Sequence, residues 1–315
     1  MRGQEASVPP ALGDTWTVPV RDSNGALYVN IRGVYPKCNR TKLCYIQDMA
    51  SESNSAFLIL TEMHLTADTD TEVSVPVYQL FRADRAVRSH GGAMVYVRTD
   101  LSSQLVASHS NSYCEIVAVK VKTLDTLLLC VYRSPDCTFD KFREAINVCQ
   151  ESINKTMKED TKVRNTLQLG DFNFPFISWP SKSIYSQVRE NKSSEKRQAE
   201  LLLEFADENF LDNFIKTPTR GNYVLDLVFS NNHALINHHK TIVNNRLSDH
   251  NLLNLSLNFS YNQPVKAAQV KNPYSSKIYE YDTNNADEED WARLEHYLQQ
   301  IDDKQLENLD AEEQM

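Results

Sequence analysis

The run LQLGDFNFPF (167–176) ends an apolar stretch in a carboxylate and a carboxamide two residues apart. Strand side chains alternate between faces, so Asp171 and Asn173 are expected on one side. Read alone the pair is a turn, because Asp and Asn are ordinary turn residues. The same placement recurs along the chain. Asn30 ends a first apolar run, Glu62 ends AFLILTE, Tyr132 ends TLLLCVY, Asp226 lies inside VLDLVF, and LSDH sets Asp249 and His250 just ahead of the last run. An acid inside a strand as apolar as VLDLVF is costly without a partner. A nearby imidazole would supply one, its ring oriented and its charged form stabilised. Taken singly, each residue has an ordinary reading: an exposed strand end for Glu62, a half-buried aromatic for Tyr132, a helix cap for Asp249 and His250. Together they make a set of hard oxygen ligands, an Asp–His pair and two amides. That inventory suits Mg²⁺, or Mn²⁺ in its place, because such ions take oxygen ligands and keep waters to share with a phosphate.

The elements that must position these groups alternate between strand and helix patterns. ALYVNI (26–31) and AFLILTE (56–62) flank TKLCYIQDMA, where Leu43, Ile46 and Ala50 keep helical spacing. VYQLFRA, AMVYVR, EIVAVKV and TLLLCVY read as four short strands. In TFDKFREAINVCQESINKTM, Phe142, Ile146, Cys149 and Ile153 recur at helical steps behind a Thr138 N-cap. A second crossover helix runs through EKRQAELLLEFADENF, and YVLDLVFS (223–230) and LNLSLNF (253–259) close the body. Some ten strands (about that many by pattern) and two crossover helices predict a two-layered β-sandwich flanked by helices. Glycines 33, 91, 92, 170 and 221 fall at strand ends or tight turns.

The bulk numbers narrow the class. The chain of 315 residues has 41% apolar residues, enough for a sizeable core. No apolar run reaches the ~18 residues of a membrane span, so no membrane partner is expected. Six cysteines (38, 44, 114, 130, 137, 149) show no metal-finger spacing, and Cys44, Cys130 and Cys149 lie in apolar-patterned segments as reduced thiols. An intracellular site of action follows, nuclear if the substrate is chromosomal DNA. Thirteen acids but only Arg293 and Lys304 lie from Glu280 onward, so the net charge of −9 sits in the tail and the body is near neutral. The expected division is an irregular extension (1–23), a catalytic domain (24–262), and a linker with an acidic tail (263–315) whose Trp291, Leu294, Leu298 and Ile301 share one helical stripe. His233, His238 and His239 in NNHALINHHK read as a solvated loop rather than a metal cluster.

Seven segments then carry a specific resemblance: NIRG, LTEMHL, RADRAVRSHGGAMVYV, VYRSP, LGDFNFPFISW, PTRGNYVLDLVFS and LSDHNLLNLSL. In type and order they resemble the endonuclease/exonuclease/phosphatase family, in the apurinic-like branch at the N-terminus of non-LTR retrotransposon polyproteins. The resemblance spans residues 24 to 260 or so and implies a four-layered α/β sandwich, two packed sheets flanked by helices, with the active site at one rim. It implies Glu62 as the principal Mg²⁺ ligand, Asp249 in support, and Asp171 orienting or deprotonating water. It further implies Asn30 and Asn173 beside the phosphate, Tyr132 donating to a phosphate oxygen, and His250 held by Asp226. The activity implied is a DNA endonuclease that leaves a 3′-hydroxyl to prime a reverse transcriptase. Arg82, Arg85 and Arg88 in RADRAVRSHGG are the expected contacts to DNA phosphates. Two departures stand out. Arg32 replaces an amide or acid found in the apurinic endonucleases, and Tyr132 continues to Arg-Ser-Pro135 rather than to Asn. The resemblance therefore does not extend to a second metal or to abasic sites. The motifs alone leave open a phosphatase or RNA nuclease of the same fold, and an inactive nucleic-acid-binding relic.

Overall fold

The computed structural model describes residues 21–34, 41–65, 73–85, 90–185, 193–243 and 247–259. The acidic tail, residues 1–20 of the N-terminal extension and Arg88 lie outside these residues. In chain order the strands begin with β1 (Gly25–Asn30), β2 (Phe57–Thr61), β3 (Tyr78–Ala83), β4 (Ala93–Arg98) and β5 (Ser103–Ser110). They continue with β6 (Cys114–Val121), β7 (Thr126–Arg133), β8 (Asn165–Asp171), β9 (Ile177–Ser178) and β10 (Ser183–Ile184). The last four are β11 (Asp212–Asn213), β12 (Asp226–Ser230), β13 (Ile236–Ile242) and β14 (Leu252–Leu257). The helices are α1 (Thr41–Ser53), α2 (Phe139–Glu159) and α3 (Ser193–Glu208).

One six-stranded sheet has the order β13-β14-β1-β2-β4-β3, the other β11-β12-β8-β7-β6-β5. Each has a parallel pair at its centre, β1 beside β2 and β7 beside β8. Period-two alternation separates three apolar clusters. Ala26, Tyr28, Phe57 and Ile59 of the first sheet meet Val117, Val119, Leu128, Leu167 and Leu169 of the second. The opposite parity in the first sheet (Leu27, Val29, Leu58, Leu60) packs with Ile46 and Met49 of α1. In the second sheet Ile116, Leu127 and Leu129 pack with Phe142 and Ile146 of α2 and Leu202 of α3. Four layers result, helix, sheet, sheet and helices, as the resemblance implied. Thr138 caps α2 as its spacing predicted, its side chain accepting from the Lys141 N–H.

Five strands were not foreseen: the two-residue β9, β10 and β11, and two longer strands at sheet edges, β5 and β13. β5 has no fully buried residue, so no apolar alternation marks it. The NNHALINHHK segment, expected as a loop, contributes β13, whose His238 and His239 face solvent. Solvated was right and loop was wrong, because the backbone pairing with β14 owes nothing to those side chains. Cys44 is only half-buried, while Cys130 and Cys149 are buried free thiols as expected. Gly170 is required by close approach. A Cβ there would lie 1.9 Å from the Val131 carbonyl oxygen, so a side chain would push β8 from β7 just before Asp171.

Candidate active site

The parity that buries Leu167 and Leu169 between the sheets also turns Asp171 inward at the end of β8. On the same logic Tyr28 and Asn30 share the inner face of β1, and Tyr132 follows Leu128 and Cys130 on β7. Register aligns these ends: Asn30 lies beside Thr61, Tyr132 beside Asp171, and Asp171 opposite Asp226, the first residue of β12. The polar groups therefore converge at one end of both sheets.

At the centre Asp171, Asp226 and His250 bring one ligand-type atom each within 4.8 Å of the others, all buried. His250 Nδ1 lies 2.8 Å from Asp226 Oδ2, and the Tyr28 hydroxyl donates to Asp226 Oδ1 at 2.7 Å. That phenol also meets the Thr61 hydroxyl at 3.0 Å. Every oxygen of the costly strand acid thus has a partner. Burial disfavours the His250 imidazolium, but Asp226 outweighs it and raises the pKa to about 9. Asp171 Oδ2 accepts from the Asn30 amide at 2.8 Å and Oδ1 from the Asn173 backbone N–H at 3.1 Å. Burial and the neighbouring Asp226 charge push its carboxyl well above the usual range. Ser248 completes the frame, its hydroxyl donating to the Asn30 carbonyl and accepting from the His250 N–H.

Glu62 stands just beyond β2 with a left-handed backbone (φ 54°). Its Oε1 accepts from the Tyr132 hydroxyl at 2.8 Å, and its Oε2 lies 3.8 Å from His64 Nε2. Burial would raise its pKa, but the polar side chains of His64, Tyr132 and Asn30 around it prevail and lower it to about 2. A largely buried carboxylate held ionised is what a divalent cation needs from a ligand. Hard oxygen donors beside a buried Asp–Asp–His group fit such an ion in kind. The expected partner ligand, Asp249, is placed differently. Its Oδ2 accepts from Arg32 Nη1 at 3.0 Å and from Arg220 Nε and Nη2 at 2.9 and 2.8 Å.

Other expected site residues are engaged within the protein. Asn173 leaves the strand with φ 54°, and its amide donates to the Arg133 carbonyl at 2.8 Å, so it braces the turn rather than standing free for a phosphate. Arg133 answers from the buried side, donating to the carbonyls of Phe172 and Asn173. Arg85, expected at DNA phosphates, is turned away from solvent. It is buried in a two-pronged pair with Glu115 at 2.7 and 2.9 Å, because a charge taken from water must find its counterion inside. Arg82 is also largely buried, 3.0 Å from Asp84. Tyr28, Thr61, Ser248 and Arg220 were missed. Tyr28 was legible, since it shares parity with Asn30; Thr61 depends on strand pairing, and Ser248 and Arg220 on loops that only the fold brings in.

A family model described as endonuclease-reverse transcriptase matches residues 126–254. Among solved structures, the endonuclease domain of TRAS1, a telomere-specific non-LTR retrotransposon, matches at a TM-score of 0.50 and 16% identity, over 75% of this chain and 99% of that one. The human Nocturnin catalytic domain matches at 0.52 and 16%, over 77% and 96% of the two chains. The AP endonuclease LMAP from Leishmania major matches at 0.51 and 11%, over 74% and 86%. No match was found among curated proteins. The chain carries the endonuclease/exonuclease/phosphatase fold, a fold of nucleases and phosphatases. Over residues 126–254 its sequence is similar to the endonuclease-reverse transcriptase model, and the fold is shared with a retrotransposon endonuclease.

Proposed function

We propose that this chain is a Mg²⁺-dependent phosphodiesterase that nicks one strand of duplex DNA. The product would be a 3′-hydroxyl able to prime reverse transcription in a retroelement, with a reverse transcriptase domain or protein as partner and the nucleus as place of action. The observation that carries the reading is the convergence of Asn30, Asp171, Asp226 and His250, drawn from positions 220 residues apart, onto one buried point.

Hydrolysis of a phosphodiester needs an in-line water, positive charge at the non-bridging oxygens, and donors aimed at the charge that develops. Asp171, with its raised pKa, suits taking a proton from that water at its carboxylate. Asn30 holds that carboxylate through its amide. His250, kept protonated by Asp226, faces the charge growing at phosphorus, and the Tyr132 hydroxyl, which donates to Glu62, would become a second donor on turning to the phosphate. Glu62 would hold the divalent ion, with Asp249 available once freed from its arginines; when bound, the ion would neutralise phosphate oxygens.

Supercoiled plasmid with Mg²⁺ should become open circle, and each nick should be extended by a DNA polymerase without prior phosphatase treatment. EDTA and Asp171→Ala should leave the plasmid supercoiled. Nicking by Asp171→Ala at the wild-type rate would reject the mechanism. Faster turnover of a phosphomonoester or of poly(A) than of plasmid would move the substrate elsewhere within the fold class.

A further inference from the structure

Asp249 gathers more positive charge than it can neutralise. Arg32 comes from the loop after β1, Arg220 from the turn before β12, and both guanidiniums meet at one carboxylate oxygen. Lys42 adds a third cation. Its Nζ donates to the Ile31 carbonyl at 2.6 Å, and it feels the charges of Arg32, Asp249 and Glu62. Three cations thus stand against one exposed acid, immediately outside the buried site.

Two features distinguish this group from an ordinary surface ion pair. Arg32 sits in the left-handed region (φ 48°), a conformation that a non-glycine residue adopts at a cost. Its amide N–H is tied to the Asn30 side chain at 3.1 Å, so the strained turn is anchored to the residue that also holds Asp171. The group is also open: the side chains of Arg32, Arg220 and Asp249 are 51%, 37% and 42% exposed. Asp249 engages one nitrogen of Arg32 and two of Arg220, and a guanidinium has five N–H donors on three nitrogens. Donors remain for an anion approaching from solvent.

We propose that Arg32 and Arg220, spaced in advance by Asp249, form a clamp for a second phosphodiester of the same nucleic-acid strand, the one next to the bond that is cut. The proposal rests on the phosphodiesterase reading and sharpens its substrate class. A compact phosphomonoester seated at Asp171 and His250 has no second phosphate to offer, whereas a strand does. Arginine suits the task because its planar fork holds phosphate by two parallel hydrogen bonds.

The test is binding in Ca²⁺ or EDTA, where cleavage is suppressed, with a fluorescent DNA duplex across a salt series. Each phosphate contact contributes about one unit of slope in log affinity against log salt. Arg32→Ala and Arg220→Ala should each weaken binding about tenfold and lower the slope by about one, and Arg220→Lys should recover part of the loss. Arg143→Ala, on the far helix α2, should change neither. Melting temperatures of all variants, read by circular dichroism, exclude misfolding, and the lysine variants carry the test if an alanine variant melts early. Unchanged affinity and slope in the Arg32→Ala/Arg220→Ala pair would overturn the clamp even if plasmid is still nicked. Failure of the wild type to nick, with the arginine-dependent slope intact, would instead remove the catalytic reading and leave the clamp. Competition by inorganic phosphate as strong, per phosphate, as by DNA would overturn the strand assignment.

Discussion

Asp249 and His250 are neighbours in sequence and opposites in environment. His250 is 1% exposed and faces a fully buried Asp226, whereas Asp249 is 42% exposed and faces two arginines that are themselves open to solvent. The inner pair works in a low dielectric, where a charge without its partner is expensive and geometry is held tightly. The outer trio is screened by water and salt, so each contact is weak but can be exchanged for a ligand. One dipeptide thus spans a fixed, buried interior and an open, exchangeable rim. The comparison predicts that interior changes destroy rate or stability, while rim changes alter affinity and salt response.

The largest effect should come from His250→Ala, which removes a donor aimed at the developing charge. Nicking should fall about 10²- to 10³-fold with the fold retained, and a loss under fivefold would show that the imidazole has no part in the chemistry. Next is Arg85→Met, which strands Glu115 as a buried unpaired carboxylate. Urea denaturation should show a loss of about 3–5 kcal/mol, with the salt slope of DNA binding unchanged; a lower slope would return Arg85 to the list of DNA contacts. Tyr28→Phe leaves Asp226 Oδ1 without its donor and should cost about 1–3 kcal/mol.

A pH series separates the two regions again. The pKa of His250 is raised in the folded state, so its stabilising contribution is fully present below the ordinary value near 6.5 and drains away as pH rises to about 9. The melting temperature should decline across that window in the wild type, and this component should vanish in His250→Gln. The smallest effect belongs to Arg143→Ala, whose exposed pair with Asp140 should be worth under about 0.5 kcal/mol.

Much of this was legible in advance because it depends on local pattern. The unbroken apolar run LLLCVY and the alternation in LQLGD mark strands whose inner face carries Tyr132 and Asp171, and the 142–146–149–153 spacing marks α2. The edges β5 and β13 were not legible, since they pair through backbone and bury little. The burial of Arg85 was hidden for the opposite reason: its charge suggests solvent, and only the fold supplies Glu115 beneath it.

By itself the sequence determined which side chains stand at strand ends and on which face, because parity and apolar runs are properties of a few consecutive residues. Which of them touch was decided only in three dimensions. The Asp226 partners Tyr28 and His250 lie 198 and 24 residues away, and sheet packing alone brings them to one carboxylate. Burial then assigned the charges their roles, since whether an acid is a fixed reactant or a rim counterion depends on the water around it.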